Sequence, residues 1–177
     1  LHTGVSPGAA TVATFLFALT AAAVLALGAA WPAALVLGGI LVQLASILDG
    51  VDGEIARASL RSSPFGGFLD SVLDRAADAA VLAALAIAAG LDATTWALLA
   101  AALFGSLMTP YVKAAYEAAY RRPLPRPISG FNAGRDVRLL VASLSAVALQ
   151  PFWGLVALAI LTNAEAVQRF VGAARAR

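Results

Sequence analysis

Hydrophobic residues in this chain form long blocks that charged residues interrupt only at their ends. No Asp, Glu, Lys or Arg occurs in residues 1–48, 93–112 or 139–164. A helix needs about 20 apolar residues to cross the hydrocarbon core of a bilayer, so these blocks are typical of transmembrane helices. Turns at Trp31-Pro32 and Gln150-Pro151 divide the first and third blocks. The pattern predicts six helices, over residues 8–30, 33–58, 67–89, 94–120, 136–149 and 151–172.

The composition agrees with a membrane protein. Of 177 residues, 61% are hydrophobic and 12% are charged, whereas about a quarter are charged in a soluble domain. So few charged side chains cannot coat a soluble core, and the apolar surface must face lipid. The absence of cysteine excludes disulfide scaffolds and thiol chemistry, and the net charge of +2 is too small to suggest nucleic acid. We predict an all-α integral membrane bundle of six transmembrane helices, a single domain over residues 1–177 that is a segment of a longer chain.

The basic residues indicate how this bundle is oriented. All twelve lie at three places along the chain, whereas the turns near Trp31, Asp92 and Gln150 contain none. With six crossings the three groups share one side, which the positive-inside rule makes cytoplasmic. We expect a plasma-membrane protein with both termini in the cytoplasm. The groups are Arg57, Arg61 and Arg75; Lys113, Arg121, Arg122, Arg126, Arg135 and Arg138; and Arg169, Arg175 and Arg177.

Four aspartates lie on that same side, at the ends of the second and third helices. Asp49 and Asp52 are three residues apart and Asp70 and Asp74 are four apart, so each pair shares a helix face with Cβ atoms about 5–6 Å apart. The short connection makes the two helices antiparallel neighbours, so the pairs would meet. Four carboxylates this close repel one another unless cations neutralise them. The sequence therefore predicts two divalent ions, Mg²⁺ or alternatively Mn²⁺, bound by carboxylate and phosphate oxygens.

Other residues near the aspartates are less specific. Gly53 lies beside the first pair, and Gly66 is predicted to lie just before the third helix. Glycine lets a ligand approach the backbone, and it is equally common where membrane helices pack. A solvated turn would explain any single aspartate, but four at helical spacing in long apolar segments favour a functional site. Glu54 and Asp78 fall outside that spacing and are predicted to be surface or helix-pairing residues.

The aspartate motif resembles the signature of the CDP-alcohol phosphotransferases. Eight positions match the pattern DxxDGxxAR, eight residues, GxxxDxxxD without exception. The resemblance implies six membrane helices with the motif on the second and third, and the basic residues predict that this active site lies at the cytoplasmic face. It also implies a metal-dependent enzyme that moves a substituted phosphate from a CDP-linked alcohol to the hydroxyl of a second alcohol and releases CMP. The matching residues are Asp49, Asp52, Gly53, Ala56, Arg57, Gly66, Asp70 and Asp74.

The resemblance also implies a role for each matching residue. Asp49, Asp52 and Asp70 would bind the metal pair, and Asp74 would be a further ligand and the general base. A carboxylate is a weak base for an alcohol, so metal activation of the hydroxyl must contribute. The residues that would line the CDP site are Gly53, Ala56, Arg57 and Gly66.

Cations near the fourth and fifth helices are candidates for binding the second substrate. Lys113 lies near the cytoplasmic end of the fourth helix, and Arg135 and Arg138 are three residues apart at the start of the fifth. They would bind a phosphate on the acceptor, for which arginine offers a bidentate fork. Snorkelling or binding of anionic lipid is the alternative. The stretch GRDVRL resembles family members that use inositol 1-phosphate, and it leaves the donor open between CDP-inositol and CDP-diacylglycerol.

A transporter or channel is the alternative to an enzyme, since intramembrane carboxylates also bind and move cations. The aspartates favour the enzyme because they cluster at one face of the membrane, beside Gly and Arg residues suited to a nucleotide. The sequence also shows no inverted repeat of the kind that many transporters contain. The family resemblance further implies a homodimer.

Overall fold

The described parts of this chain contain helices and no strands. A computed structural model describes residues 7–58, 63–125 and 134–176, and the side chains of residues 8–50, 63–125 and 134–176. Within these ranges the predicted all-α bundle of six helices is confirmed. The helices are α1 Pro7–Ala26, which a 3₁₀ turn at Leu27–Ala29 extends, α2 Pro32–Ala58, α3 Pro64–Ala89, α4 Ala93–Tyr120, α5 Arg135–Val147 and α6 Pro151–Arg175.

Prolines and side-chain caps mark where the helices begin. Four of them, α1, α2, α3 and α6, begin at a proline, whose fixed φ suits the first helical position. The Ser63 hydroxyl accepts a hydrogen bond from the Gly66 N–H at 2.9 Å and caps α3. The prediction that Gly66 precedes this helix is therefore wrong. Gly66 lies in the first turn, because the Ser63-Pro64 pair starts the helix earlier than the glycines suggest.

The turn between α3 and α4 is held by polar backbone contacts. Gly90 ends α3 with a φ of 94°, a conformation that glycine adopts readily because it has no Cβ. The Asp92 carboxylate then accepts a hydrogen bond of 2.7 Å from the Thr95 N–H and caps α4. This hydrogen bond holds the pKa of the Asp92 carboxyl below its usual value.

Membrane character is strongest in α1, α2, α4 and α6. Among the described residues, these helices contain the segments that are long and apolar enough to cross a bilayer: Gly8–Ala29, Pro32–Gly50, Ala93–Tyr120 and Pro151–Arg175. α5 has 13 residues and rises about 20 Å, less than the hydrocarbon thickness of about 30 Å. α3 is long, but four charged residues lie within residues 70–78. Both helices therefore bring charge to one end of the bundle.

Small residues allow the helices to pack closely. α1 packs against both α2 and α3, α5 also contacts both, and α4 packs along α6. A side chain at Gly38 of α2 would overlap the backbone of Leu25 in α1, and one at Gly105 of α4 would overlap Thr162 in α6. Close approach at glycine and alanine is the usual way in which membrane helices gain packing energy. α1 and α5 thereby bridge α2 and α3, the two helices that carry the aspartate motif.

Candidate active site

Three of the four motif aspartates converge. Asp49 lies in the last part of α2, and Asp70 and Asp74 lie one turn apart in α3. One carboxylate oxygen from each lies within 4.8 Å of the others. Asp49 and Asp74 are half-buried, whereas Asp70 is exposed. The helical spacing in the sequence therefore corresponds to a real cluster across two helices.

Four of the remaining motif residues lie in the last turns of α2. Asp52, Gly53, Ala56 and Arg57 are helical in backbone, and their side chains lie outside the described residues. An α-helix places residues three apart on one face, so Asp52 follows Asp49 on the same side of α2. Its predicted role as a ligand stays a prediction.

The donor set of this cluster suits a hard divalent cation. Mg²⁺ and Mn²⁺ are bound through oxygen, and sites for them in phosphate-transferring proteins combine carboxylates with substrate oxygens. Asp49, Asp70 and Asp74 supply three carboxylates from two separate helices. The exposure of Asp70 leaves one side of the cluster accessible to a substrate.

Arg135 lies against this cluster at the first residue of α5. Its Nη1 forms an ion pair with Asp49 and another, at 3.0 Å, with Asp74. Its Nε donates to Asp78 Oδ1 at 3.0 Å. One guanidinium therefore contacts carboxylates on both α2 and α3. The sequence singled out Arg135 for the acceptor phosphate but did not predict these contacts.

Asp78 is a buried member of the site that the sequence reasoning missed. It is 7% exposed, so the prediction of a surface residue is wrong and the alternative, helix pairing, is the one observed. Its Oδ2 lies 3.4 Å from Arg138 Nη2, while its Oδ1 binds Arg135. The expectation that Asp78 falls outside the aspartate spacing is also wrong, because Asp78 follows Asp74 by four residues, as Asp74 follows Asp70. A buried charge at that spacing needs partners, and two arginines of α5 provide them.

Arg138 is also buried, at 9% exposure. Besides Asp78, it donates through Nη1 to the Ser106 hydroxyl on α4 at 2.8 Å. Arg138 therefore connects α5 to α3 and α4, and it is more deeply buried than the aspartate cluster. It lines a second pocket together with Asp78 and Ser106, which encloses about 270 Å³ when the part open to the surroundings is counted.

A cleft opens beside the cluster. It encloses about 440 Å³, counting the part that is open to the surroundings. Polar side chains of Asp49, Asp74 and Arg135 lie at one end, and the rest of the wall is mostly apolar. The charged end thus faces both an open approach and an apolar groove. The residues of α1 that contribute are Thr11, Thr14, Phe15 and Ala18; those of the other helices are Val42, Ala45, Ser46, Leu73, Ala77, Val81 and Leu139.

Two predicted residues lie apart from these contacts. Lys113 is exposed on α4 and is not among the described residues that line either cavity. Gly66 lies in the first turn of α3, where an added side chain would meet Ser63 Oγ at 3.1 Å. Arg75 of α3, for which the sequence predicted no role in the site, lies 3.7 Å from Asp74. The acceptor role of Lys113 and the CDP-binding role of Gly66 stay predictions.

Comparison with known proteins identifies the family. The family model described as CDP-alcohol phosphatidyltransferase matches residues 5–173. The chain belongs to the CDP-alcohol phosphatidyltransferase family. This confirms the family predicted from the aspartate motif and the expectation of an enzyme of this class. It does not favour a transporter or channel.

One relative within this family aligns along the whole chain. The "Bifunctional IPC transferase and DIPP synthase" of Rubrobacter xylanophilus is 44% identical over 177 residues, which are 100% of this chain and 39% of the relative. The chain therefore spans about two fifths of the length of that protein.

Two solved structures have the same fold as this chain. The phosphatidylinositol phosphate synthase of Mycobacterium tuberculosis with manganese and citrate has a TM-score of 0.77 and 23% identity, covering 96% of this chain and 83% of its own. The same protein with CDP-DAG bound has a TM-score of 0.75 and 24% identity, with coverages of 96% and 87%. The likeness shows that the six helices adopt the fold of that synthase.

Proposed function

We propose that this chain is the membrane catalytic domain of a divalent-metal-dependent transferase. It would transfer a substituted phosphate from a CDP-linked alcohol to the hydroxyl of an acceptor alcohol, inositol 1-phosphate, and release CMP. The observation that carries the proposal is the convergence of Asp49, Asp70 and Asp74 within 4.8 Å beside an open cleft. Family membership supplies the class of reaction.

Asp49, Asp52, Asp70 and Asp74 are the proposed ligands of two divalent ions, Mg²⁺ or Mn²⁺. Bound ions of this kind supply charge neutralisation of the diphosphate and of the departing CMP. The aspartates fix where the donor phosphate lies, because the oxygens of Asp49 on α2 and of Asp74 on α3 are held by helices that α1 and α5 bridge. Gly53, Ala56, Arg57 and Gly66 are proposed to line the CDP site.

Asp74 is the proposed general base, because it lines the cleft beside the cluster. It would accept the proton of the acceptor hydroxyl as the new phosphoester bond forms and the bond to CMP breaks. Lys113, Arg135 and Arg138 are proposed to bind the acceptor phosphate. Burial of Arg138 against Asp78 favours Arg135 as the residue nearest the acceptor, with Arg138 supporting it.

CDP-inositol is the proposed donor and CDP-diacylglycerol the alternative. The whole-chain relative is named as an IPC transferase and DIPP synthase, which supports a branch that joins two inositols. The structural neighbour has CDP-DAG bound, which supports the alternative. The apolar cleft beside the cluster could accept the chains of such a lipid.

The decisive assay is CMP release by purified protein in lipid nanodiscs with Mg²⁺, inositol 1-phosphate and one donor at a time. We expect release with CDP-inositol, loss of release in EDTA, and a loss of at least about 100-fold in the variant Asp70→Asn. Asp92→Asn is the matched control, because Asp92 is an exposed aspartate that caps α4 and lies outside the cluster. Release with CDP-diacylglycerol alone would move the chain to the other branch. No release with any CDP donor, together with metal-dependent ion flux in vesicles, would establish the transporter instead.

Three further properties belong to the same proposal. The chain is proposed to form a single domain over residues 1–177, to lie in the plasma membrane with the aspartate cluster at the cytoplasmic face, and to form a homodimer. The clustering of basic residues on one side supports the orientation. Family membership supports the single domain, since the match spans residues 5–173.

A further inference from the structure

Arg135 makes two different kinds of contact through one guanidinium. On one side, Nε donates to Asp78, which is buried and also paired with Arg138. On the other side, Nη1 contacts Asp49 and Asp74, which are half-buried at the cleft. The first contact is to a carboxylate outside the proposed ligand set. The second is to two carboxylates inside it.

Both of those carboxylates belong to the trio whose oxygens lie within 4.8 Å of one another. A divalent ion held by the trio would lie about 2.0–2.1 Å from its ligand oxygens. A guanidinium that pairs with the same carboxylates would place a second positive charge directly beside that ion. Simultaneous binding of the ion and of Arg135 Nη1 to these carboxylates is unfavourable, because like charges repel strongly at a few ångströms.

The contact with Asp78 would keep Arg135 bound to α3 when Nη1 leaves Asp49 and Asp74. Asp78 is shared between Arg135 and Arg138, and it lies one helical turn deeper along α3 than Asp74. A rotation about the end of the Arg135 side chain can withdraw Nη1 while Nε remains bonded to Asp78. The guanidinium would then present its free N–H groups to the cleft, where they suit a phosphate.

Resting on the proposed function only for its metal site, we propose that Arg135 is a tethered internal counter-ion that competes with the divalent metal for Asp49 and Asp74. Asp78 is the tether and acts as a positioning residue. Metal binding displaces Nη1 from the two carboxylates and makes it available to an anionic substrate. The site therefore binds metal first and the acceptor phosphate second.

The test measures metal binding without turnover. Protein in nanodiscs is stripped with EDTA and titrated with Mn²⁺, and free Mn²⁺ is followed by electron paramagnetic resonance. We expect Arg135→Gln to bind Mn²⁺ about 10-fold or more tightly than the original chain, because no charged hydrogen bond is lost on binding. Arg135→Lys, which keeps the charge but not the fork, should fall between the two.

Arg75→Gln is the matched control. Arg75 is also a cation near Asp74, at 3.7 Å, but it contacts no other described carboxylate of the trio. A gain of no more than about 2-fold is expected there, since a single ion pair at 3.7 Å that solvent still reaches contributes little. An equal gain in Arg75→Gln and Arg135→Gln would show a general charge effect and overturn the competition.

A second readout covers the case in which Arg135→Gln folds poorly. Without metal, both Arg135 variants should melt at a lower temperature than the original chain, and saturating Mn²⁺ should narrow that gap. Unchanged Mn²⁺ affinity in the Arg135 variants, with binding abolished by Asp70→Asn, would overturn this inference and leave the proposed function standing. Absence of Mn²⁺ binding in the original chain would overturn both.

Discussion

At the scale of single residues, Asp74 is distinguished from its neighbours by its contacts. It lies 3.0 Å from Arg135 and 3.7 Å from Arg75, and it lines the cleft. Asp70 is exposed by comparison. Asp74 is therefore the carboxylate of α3 that lines the cleft where the acceptor hydroxyl is proposed to bind, as a general base requires.

Replacement of this carboxylate tests the base role. We expect Asp74→Asn to lower turnover by about 10²–10⁴-fold, because an amide cannot accept the proton. Turnover is measured as CMP release, and donor and Mn²⁺ affinity are measured on the same preparation. If the variant bound donor and metal normally and kept most of its turnover, the base role would be wrong.

At the scale of helices, the bundle depends on glycines at two crossings. Gly38 lies against the backbone of Leu25, so any side chain there must push α1 and α2 apart. Gly172 of α6 is also helical, but nothing lies within 4 Å of an added Cβ at that position. Substitutions at the two glycines therefore distinguish the effect of packing on stability from the effect of helix propensity.

We expect alanine to have different effects on the free energy of unfolding at the two positions. Gly38→Ala should lower the free energy of unfolding by about 1–3 kcal/mol through overpacking. Gly172→Ala should leave it unchanged or raise it by up to about 1 kcal/mol, because alanine favours a helix. Thermal or denaturant unfolding in detergent measures both. Equal destabilisation by the two substitutions would contradict the close approach of α1 and α2.

At the scale of the whole molecule, charge and aromatic residues divide the bundle into two ends. The aspartate cluster and Arg135 lie at one end. Trp31, Trp96 and Trp153 are exposed near the beginnings of α2, α4 and α6, and tryptophan is enriched at membrane interfaces. The two ends are consistent with a cytoplasmic active site and an aromatic belt on the opposite side.

Absence of cysteine makes this orientation directly measurable. Leu91→Cys marks the exposed turn before α4, and Ala174→Cys marks the exposed end of α6. In intact cells, a membrane-impermeant maleimide should label Leu91→Cys, and it should label Ala174→Cys only after permeabilisation. The original chain, without cysteine, is the control. The reverse labelling pattern would place the aspartate cluster outside the cell.

Properties that depend on local spacing and on composition can be predicted from the amino-acid sequence. Long uncharged blocks are enough to predict membrane helices, since crossing a bilayer is a matter of length and apolarity. The spacing of Asp70 and Asp74 is enough to predict a shared face, because helix geometry is regular. The predicted start of α3 is too late, because the Ser63-Pro64 cap begins the helix at Pro64.

Tertiary structure alone decided which charges meet. Arg135 is 57 residues from Asp78 and 86 from Asp49 along the chain, and no local rule connects positions so far apart. Their contact depends on how α1 and α5 bridge α2 and α3, which small packing residues determine. Burial then made Asp78 a structural partner of two arginines and not a surface charge, because a charge removed from solvent requires opposite charges around it.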